Sequence, residues 1–196
     1  NAYEALAALR PLNTYGWSKA LFDLFAVRQA LRDYAPPQWV GLKFFNVYGP
    51  NEEHKKSMKS VASQIWPHVR DGHGVQLFKS YRPDVPDGGQ KRDFVYVRDA
   101  AEVTEWLTHN PQVSGVFNLG SGEARSFEDM ARAVFAAAGK TAQIDYTPMP
   151  PAIRDKYQYF TEAKMDRLKV AGYDKPMTPL EEGIGDYVRH LRVPAP

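Results

Sequence analysis

Tyr15 and Lys19, in TYGWSK, stand four residues apart. At the start of a helix that spacing puts both side chains on one face, about one turn apart. A free phenol ionises near pH ~10, too high for a base at neutral pH. A fixed ammonium a few ångströms away favours the phenolate, so the pair could form a tuned acid/base. The same spacing is common on ordinary solvated helices, and spacing alone leaves both readings open. A second chemical signal is Gly120-Ser121-Gly122, placed where a phosphate-binding turn would be. It lacks the third glycine of G-x-G-x-x-G and reads as a structural turn.

Several chemistries are excluded by what is missing. The absence of cysteine removes disulfides, thiolate metal sites and a cysteine nucleophile, and fits a reducing compartment. His54, His68, His73, His109 and His190 show no H-x-x-x-H or H-E-x-x-H spacing, so no metal is expected. There is no G-x-S-x-G or P-loop signature. A net charge of +2 and short basic clusters without interleaved aromatics give a nucleic-acid partner little support. No apolar run approaches ~18 residues, so no membrane-spanning helix is expected. A hydrophobic share of 43% is enough for a packed core. The opening NAYEALAALRPLNTYG has no basic region ahead of an apolar block, so it is not a signal peptide. Beginning at Asn1, it reads as a chain that starts partway through a larger protein.

The elements that must position these residues alternate. Residues 16–34 predict a helix with Leu21, Leu24, Phe25, Arg28 and Leu31 on one face, ended by Pro36-Pro37. Residues 39–47 predict one buried strand, turned at Gly49-Pro50. A helix follows over 57–71, with Val61, Ile65, His68 and Val69 on one side and Pro67 kinking or ending it. Strands are expected at 75–78, 92–97, 115–119 and 142–146, with a loop from Lys79 to Lys91. Helices are expected at 99–109, with Val103, Trp106 and Leu107 inward, and at 161–171, stopped by Gly172. Another runs from Ser126 to Ala138, with a Ser126/Asp129 capping box and Gly139 closing it. Thr178, Pro179 and Glu181 would cap a last helix through Leu191. No repeat and no clean linker is visible. Such alternation predicts an α/β fold with a mostly parallel sheet.

Tyr-x-x-x-Lys followed by a strand ending in FNVYGP resembles the extended short-chain dehydrogenase/reductase family. KFFNVYGPNEEHKKSMKSVA, KRDFVYVRDAAEV, GVFNLGSGEARSFEDMA and KYQYFTEAKMDRLKVAGYDKP resemble, within it, the ADP-L-glycero-D-manno-heptose 6-epimerases. The resemblance runs from about residue 11 to about 187 and is most specific over 46–62. It implies the C-terminal part of a Rossmann-type parallel sheet plus a smaller α/β substrate-binding domain. Residues 1–50 would be the remainder of the NADP-binding domain. Residues 51–196 would be mainly substrate-binding, with about 92–118 returning to the Rossmann sheet.

The resemblance also implies roles. Tyr15 and Lys55 would be the two acid/bases. Lys19, Val47 and Lys55 would touch the cofactor, NADP or alternatively NAD. Asn46, Ser57, Gln64, Phe78, Lys79, Ser80, Tyr81, Arg92 and Tyr157 would line the substrate, an ADP-heptose epimerised at C6 for lipopolysaccharide core synthesis. A cytoplasmic homo-oligomer, a pentamer in the resembled family, is implied. The residue types suit these roles: a guanidinium can grip a diphosphate with paired donors, and a tyrosine can stack on a nucleoside. Blander alternatives stand beside them. Lys55 lies in a charge run, Arg92-Asp93 could be a strand-edge ion pair, Asn46 could cap a strand, and Tyr157 could be core. The chain departs from the resembled family in five ways: no G-x-G-x-x-G, no counterpart of the family's substrate-positioning Ser/Thr, Gln64 in place of a histidine, a longer 80–90 loop, and Lys56 and Lys59 in place of small residues. Two rival functions follow, another sugar-nucleotide epimerase or dehydratase, or an inactive fragment without the cofactor half.

Overall fold

The computed structural model describes residues 2–193. Helices α1 (Ala2–Ala7) and α2 (Thr14–Ala30) precede β1 (Val40–Phe44) and β2 (Asn46–Tyr48). A 3₁₀ turn (Glu53–Met58) leads into α3 (Val61–Arg70) and β3 (Val75–Phe78). Then come β4 (Lys91–Tyr96), α4 (Val97–His109), β5 (Gly115–Leu119), β6 (Ala124–Ser126) and α5 (Phe127–Ala138). β7 (Ile144–Thr147), α6 (Pro151–Arg154), α7 (Asp166–Val170) and α8 (Leu180–Leu191) complete it.

The strands form three small sheets. β1 pairs parallel with β5, and β3 parallel with β7. β4 is central to the third, parallel to β2 and antiparallel to β6. The α/β class with parallel pairing agrees with the sequence. The expected single strand over 39–47 is in fact two. Phe45 donates its amide to Leu119 O at 3.0 Å, and Val47 donates back to Phe45 O at 3.0 Å. That tight turn re-aims the chain from β5 to β4.

Alternation along β4 divides the interior. Phe94 and Tyr96 pack on one side with α3, α5 and α8, through Val69, Met130, Val134, Ile184 and Tyr187. Val95 packs on the other with α4, β5 and α7, through Val103, Leu119 and Leu168. Helix α8 approaches closely at Gly183, where an added Cβ would stand 2.1 Å from Tyr48 Oη.

Local signals held where their partners were local. In α5, Asp129 N donates to Ser126 Oγ and Ser126 N to Asp129 Oδ2, both at 2.9 Å, and Gly139 closes the helix at φ 72°. Elsewhere tertiary partners prevailed. Helix α2 ends at Ala30, before the prolines, because Arg32, Asp33 and Tyr34 N–H groups bond back to Gln29 and Ala30 carbonyls. Its predicted apolar face is turned outward: Leu21, Phe25 and Leu31 are exposed, while Ala20, Asp23 and Val27 are buried. Asp23 reaches down to Lys43 on β1, anchoring that smaller face to the sheet.

The helix expected over 57–71 starts later, at Val61, capped by Ser60. Pro67 is accommodated and the helix runs on to Arg70. His68 is exposed, one position off the buried stripe of Ala62, Ile65, Trp66 and Val69. The helix expected over 161–171 is only α7. Thr161 N binds Lys91 O and Ala163 N binds Asp93 Oδ2, holding 161–163 extended beside β4. Thr178 does not cap α8. Its hydroxyl and amide both donate to Asp99, at 2.6 and 2.8 Å, and Glu181 pairs with Arg125. Helices α1 and α6 and strand β6 have no counterpart in the sequence reading.

Candidate active site

Three groups of residues build the site. The first lies at the N-terminus of α2, where Asn13 Oδ1 accepts from Gly16 N at 2.8 Å and fixes the start of the helix. Tyr15 is 72% exposed, and Lys19 Nζ lies 5.2 Å from its ring centroid. The sequence-predicted pair therefore does meet on one face, open to a partner. Val47, half-buried, and Asn46, exposed, lie on β2 beside Val95 and Phe94 of β4.

The second group is the turn after Gly49-Pro50. Its centre is Glu52, only 3% exposed. That carboxylate accepts from Gly49 N at 3.3 Å, Ser60 N at 2.7 Å and Ser60 Oγ at 2.6 Å. Lys55 Nζ stands 3.7 Å from Glu52 Oε2, with 38% of its side chain exposed. Lys56 follows at φ 51°, a left-handed conformation that a side chain disfavours. Gln64 Nε2 donates to Lys59 O at 2.7 Å and Ser57 O at 3.4 Å, so its amide braces the turn.

The third group surrounds Arg92 on β4. Its guanidinium lies 5.5 Å from the Phe127 ring and 5.3 Å from the Tyr157 ring. It makes one hydrogen bond, Nη1 to Lys91 O at 2.8 Å. Burial pushes the guanidinium below its usual value, and burial pushes the Tyr157 phenol up. Phe78 meets Tyr157 edge-to-face at 6.3 Å, and Tyr157 meets Tyr159 at 5.8 Å. Tyr81 N donates to Tyr159 Oη at 2.9 Å. Ser80 and exposed Lys79 shape the loop: Ser80 N donates to Asp87 Oδ1 at 2.6 Å, and Lys79 O accepts from buried Gln90. Phe78, Tyr81, Arg92 and Tyr157 are thus brought together. Among the described residues, neither Tyr15 nor Lys55 makes a hydrogen bond or ion pair to this cluster.

One bland alternative is corrected, and the structural reading of the Gly120-Ser121-Gly122 turn agrees with the geometry. Asp93 does not pair with Arg92; neighbours on a strand point to opposite faces. Fully buried, it accepts from Ser121 N at 2.6 Å, Ser121 Oγ at 2.8 Å, and Gly122 N and Ala163 N at 2.9 Å. The Ser121 and Gly122 amides are therefore committed, and this turn has none of them to offer a pyrophosphate.

The sequence reading missed Glu52, the anchoring role of Asp93, and Tyr159. Tyr159 had a signal, since Tyr157 and Tyr159 alternate in an extended stretch. Glu52 was one of several charges in NEEHKK, and nothing local marked it as buried. Among the described residues, no group of three metal-ligating side chains could hold an ion, and no helix is long and apolar enough to cross a membrane.

Residues 2–120 match the family model described as "NAD dependent epimerase/dehydratase family". The chain belongs to this family. It is 50% identical over 181 residues to an ADP-L-glycero-D-manno-heptose-6-epimerase of Nitratidesulfovibrio vulgaris, covering 92% of this chain and 55% of that protein. Against the protein of the same name from Fusobacterium nucleatum it is 44% identical, covering 95% and 57%. The Helicobacter pylori ADP-L-glycero-D-manno-heptose-6-epimerase structure superposes with a TM-score of 0.75 at 30% identity, over 92% of this chain and 51% of that one. The Thermus thermophilus UDP-glucose 4-epimerase complex with NAD gives 0.73 at 30% identity, over 93% and 55%. The α/β fold is thus that of the Rossmann-type epimerases. The chain spans a little over half the length of the curated relatives it matches.

Proposed function

We propose that this chain is the substrate-binding part, with the catalytic Tyr-Lys helix, of an epimerase that interconverts ADP-D-glycero- and ADP-L-glycero-D-manno-heptose at C6. Its cofactor would be NADP, with NAD as the alternative, and its setting lipopolysaccharide core synthesis in the cytoplasm. Residues 1–50 would complete the cofactor domain, 51–196 would mainly bind substrate, and the whole would work as a homo-oligomer. The observation that carries a sugar-nucleotide substrate is Arg92: half-buried, stacked between two aromatic rings and ion-paired with no carboxylate among the described residues. A desolvated guanidinium of this kind calls for an anion, and a diphosphate matches its paired donors. The choice of ADP-heptose rests on the names of the relatives.

Tyr15, Lys19, Val47 and Lys55 suit the nicotinamide end of the cofactor. Bound there, a nicotinamide supplies hydride acceptance and return at the carbon that inverts. The hydroxyl oxygen on that carbon takes two orientations, and each needs a group to hold and return its proton. Tyr15 suits one orientation, with Lys19 bringing positive charge to the face of its ring. Lys55, anchored by Glu52, suits the other. Arg92, Tyr157, Phe78 and Tyr81 hold the nucleotide and leave the heptose end free to turn, while Asn46, Ser57, Gln64, Lys79 and Ser80 border it.

The test is turnover by the full-length protein. Incubated with one ADP-heptose epimer in D₂O, it should produce the other without deuterium at C6, since the abstracted hydride returns. Turnover of UDP- or dTDP-sugars but not ADP-heptose would favour the sister activity. No turnover of any would sink the proposal.

A further inference from the structure

Tyr187 lies on α8 and is fully buried, its ring packed in the core against α3 and α5. Its phenolic oxygen is shut off from solvent and meets no hydrogen-bond partner among the described residues. Buried polar groups in folded proteins almost always have a partner, so an orphaned phenol calls for an acceptor that comes free at some stage. Burial pushes the phenol well above its usual value, so it stays a neutral donor throughout the working range. After burial, the groups that act on it are Ser63, which favours the phenolate, and Glu52 and Glu53, which oppose it. Of these two carboxylates only Glu52 is buried. Ser63 and Glu52 are already linked: Ser63 N donates to Ser60 Oγ at 3.3 Å, and Ser60 Oγ to Glu52 Oε1 at 2.6 Å.

Glu52 has capacity to match. A carboxylate offers about four acceptor sites. Oε1 takes Gly49 N and Ser60 Oγ, and Oε2 takes Ser60 N. Lys55 Nζ, 3.7 Å from Oε2, is within ion-pair reach but beyond a hydrogen bond. One acceptor site is therefore spare on a buried carboxylate, and α8 brings a spare buried donor that acts on the same carboxylate.

Lys55 cannot do its chemistry while it serves Glu52. To take a proton from the substrate oxygen the amine must first be neutral. To return one, the ammonium must turn towards that oxygen. Either way Glu52 loses its counter-charge while still buried, and an uncompensated buried carboxylate is costly.

We propose that Tyr187 is a positioning residue for Lys55: when the amine is neutral or turned to the substrate, the phenol donates to Glu52 and holds the carboxylate in its place. The inference rests on the assignment of Lys55 as the second acid/base. The phenol keeps its proton throughout, and only hydrogen bonds are exchanged. A neutral donor suits the task, because a second cation would compete with Lys55 for the carboxylate.

The other charged and titratable groups of the turn are Glu53, His54 and Lys56, all exposed, and half-buried Lys59. The first turn of α3 adds only neutral Ser63 and Gln64. Asp186, next to Tyr187 on α8, is committed to Tyr96, Arg98 and Arg189. Tyr187→Phe alters none of these, so a shift of the Lys55 titration in that variant reports the phenol.

The test follows ADP-heptose turnover against pH, in both directions, by the full-length protein with its nicotinamide cofactor. The limb of the profile that disappears in Lys55→Met belongs to Lys55. Tyr187→Phe should lower kcat about 10-fold, the worth of a hydrogen bond to a charged group, and leave KM unchanged. It should move the Lys55 limb up by about one pH unit, because without the phenol the neutral amine is disfavoured. Its melting temperature should not fall, since the resting phenol donates to nothing. Ser63→Ala should leave the limb in place. An unmoved limb or a lowered melting temperature in Tyr187→Phe makes the phenol a core group only, and the inference fails. The same shift in Ser63→Ala assigns the phenol to the α3–α8 contact, and the inference fails again. If Lys55→Met keeps both the limb and near-normal turnover, the Lys55 assignment itself falls, and the inference with it.

Discussion

Lys55 holds its ammonium 3.7 Å from the buried carboxylate of Glu52, which at the same time binds the Gly49 amide and both polar groups of Ser60. The carboxylate therefore fixes the turn at both ends and gives a long, flexible side chain a preferred direction. A lysine in a solvated charge run has no such anchor. Lys55→Met in the full-length enzyme should cut kcat by about 10²–10⁴-fold, the range of one general acid/base. The urea midpoint should fall only modestly, because the hydrogen bonds from Gly49 and Ser60 still hold the buried Glu52 carboxylate once its cation is gone. Near-normal turnover would return Lys55 to the status of a surface charge.

Tyr15→Phe keeps the exposed ring and removes its only proton-transferring group. The same fall in kcat, about 10²–10⁴-fold, is expected with the melting temperature unchanged. A variant that turned over within a few-fold of wild type would remove Tyr15 from the chemistry.

Arg92→Lys should not be conservative. Lysine keeps the charge but loses the paired donors and the flat face that stacks between Phe127 and Tyr157. Affinity for an ADP-sugar should weaken by about 1–3 kcal/mol, with the fold intact. An unchanged Kd would take Arg92 out of the site.

Asp93 makes a structural prediction. Asp93→Ala strands the Ser121, Gly122 and Ala163 amides and should cost about 3 kcal/mol or more in urea unfolding. Ser121→Ala, which removes one hydroxyl bond, should cost about 1 kcal/mol. Equal losses in the two variants would contradict the hub.

Gly183→Ala should destabilise by about 1–3 kcal/mol through overpacking, since its Cβ would stand 2.1 Å from Tyr48 Oη and 3.2 Å from the Tyr96 ring. Tyr48→Phe removes the clashing oxygen, so the double variant should recover part of the loss. Strict additivity would place the strain elsewhere.

How much of this was legible beforehand differs from element to element. Strands β3 and β5 and the Ser126–Gly139 helix follow from short apolar runs and from caps whose partners lie within a few residues, so the chain alone determines them. The meeting of Tyr15 with Lys19 is of the same kind, because one helical turn brings them together. Resemblance supplied the names Arg92, Tyr157, Phe78 and Tyr81, but not their arrangement. Tertiary structure decided whatever depended on a distant partner. Asp93 holds 161–163 extended where the pattern suggested helix, Asp99 takes the Thr178 hydroxyl from its cap, and Lys43 turns Asp23 inward so that α2 shows its apolar face. Glu52 could not be singled out for the same reason. Burial is a property of the surroundings, which residue type and spacing do not contain.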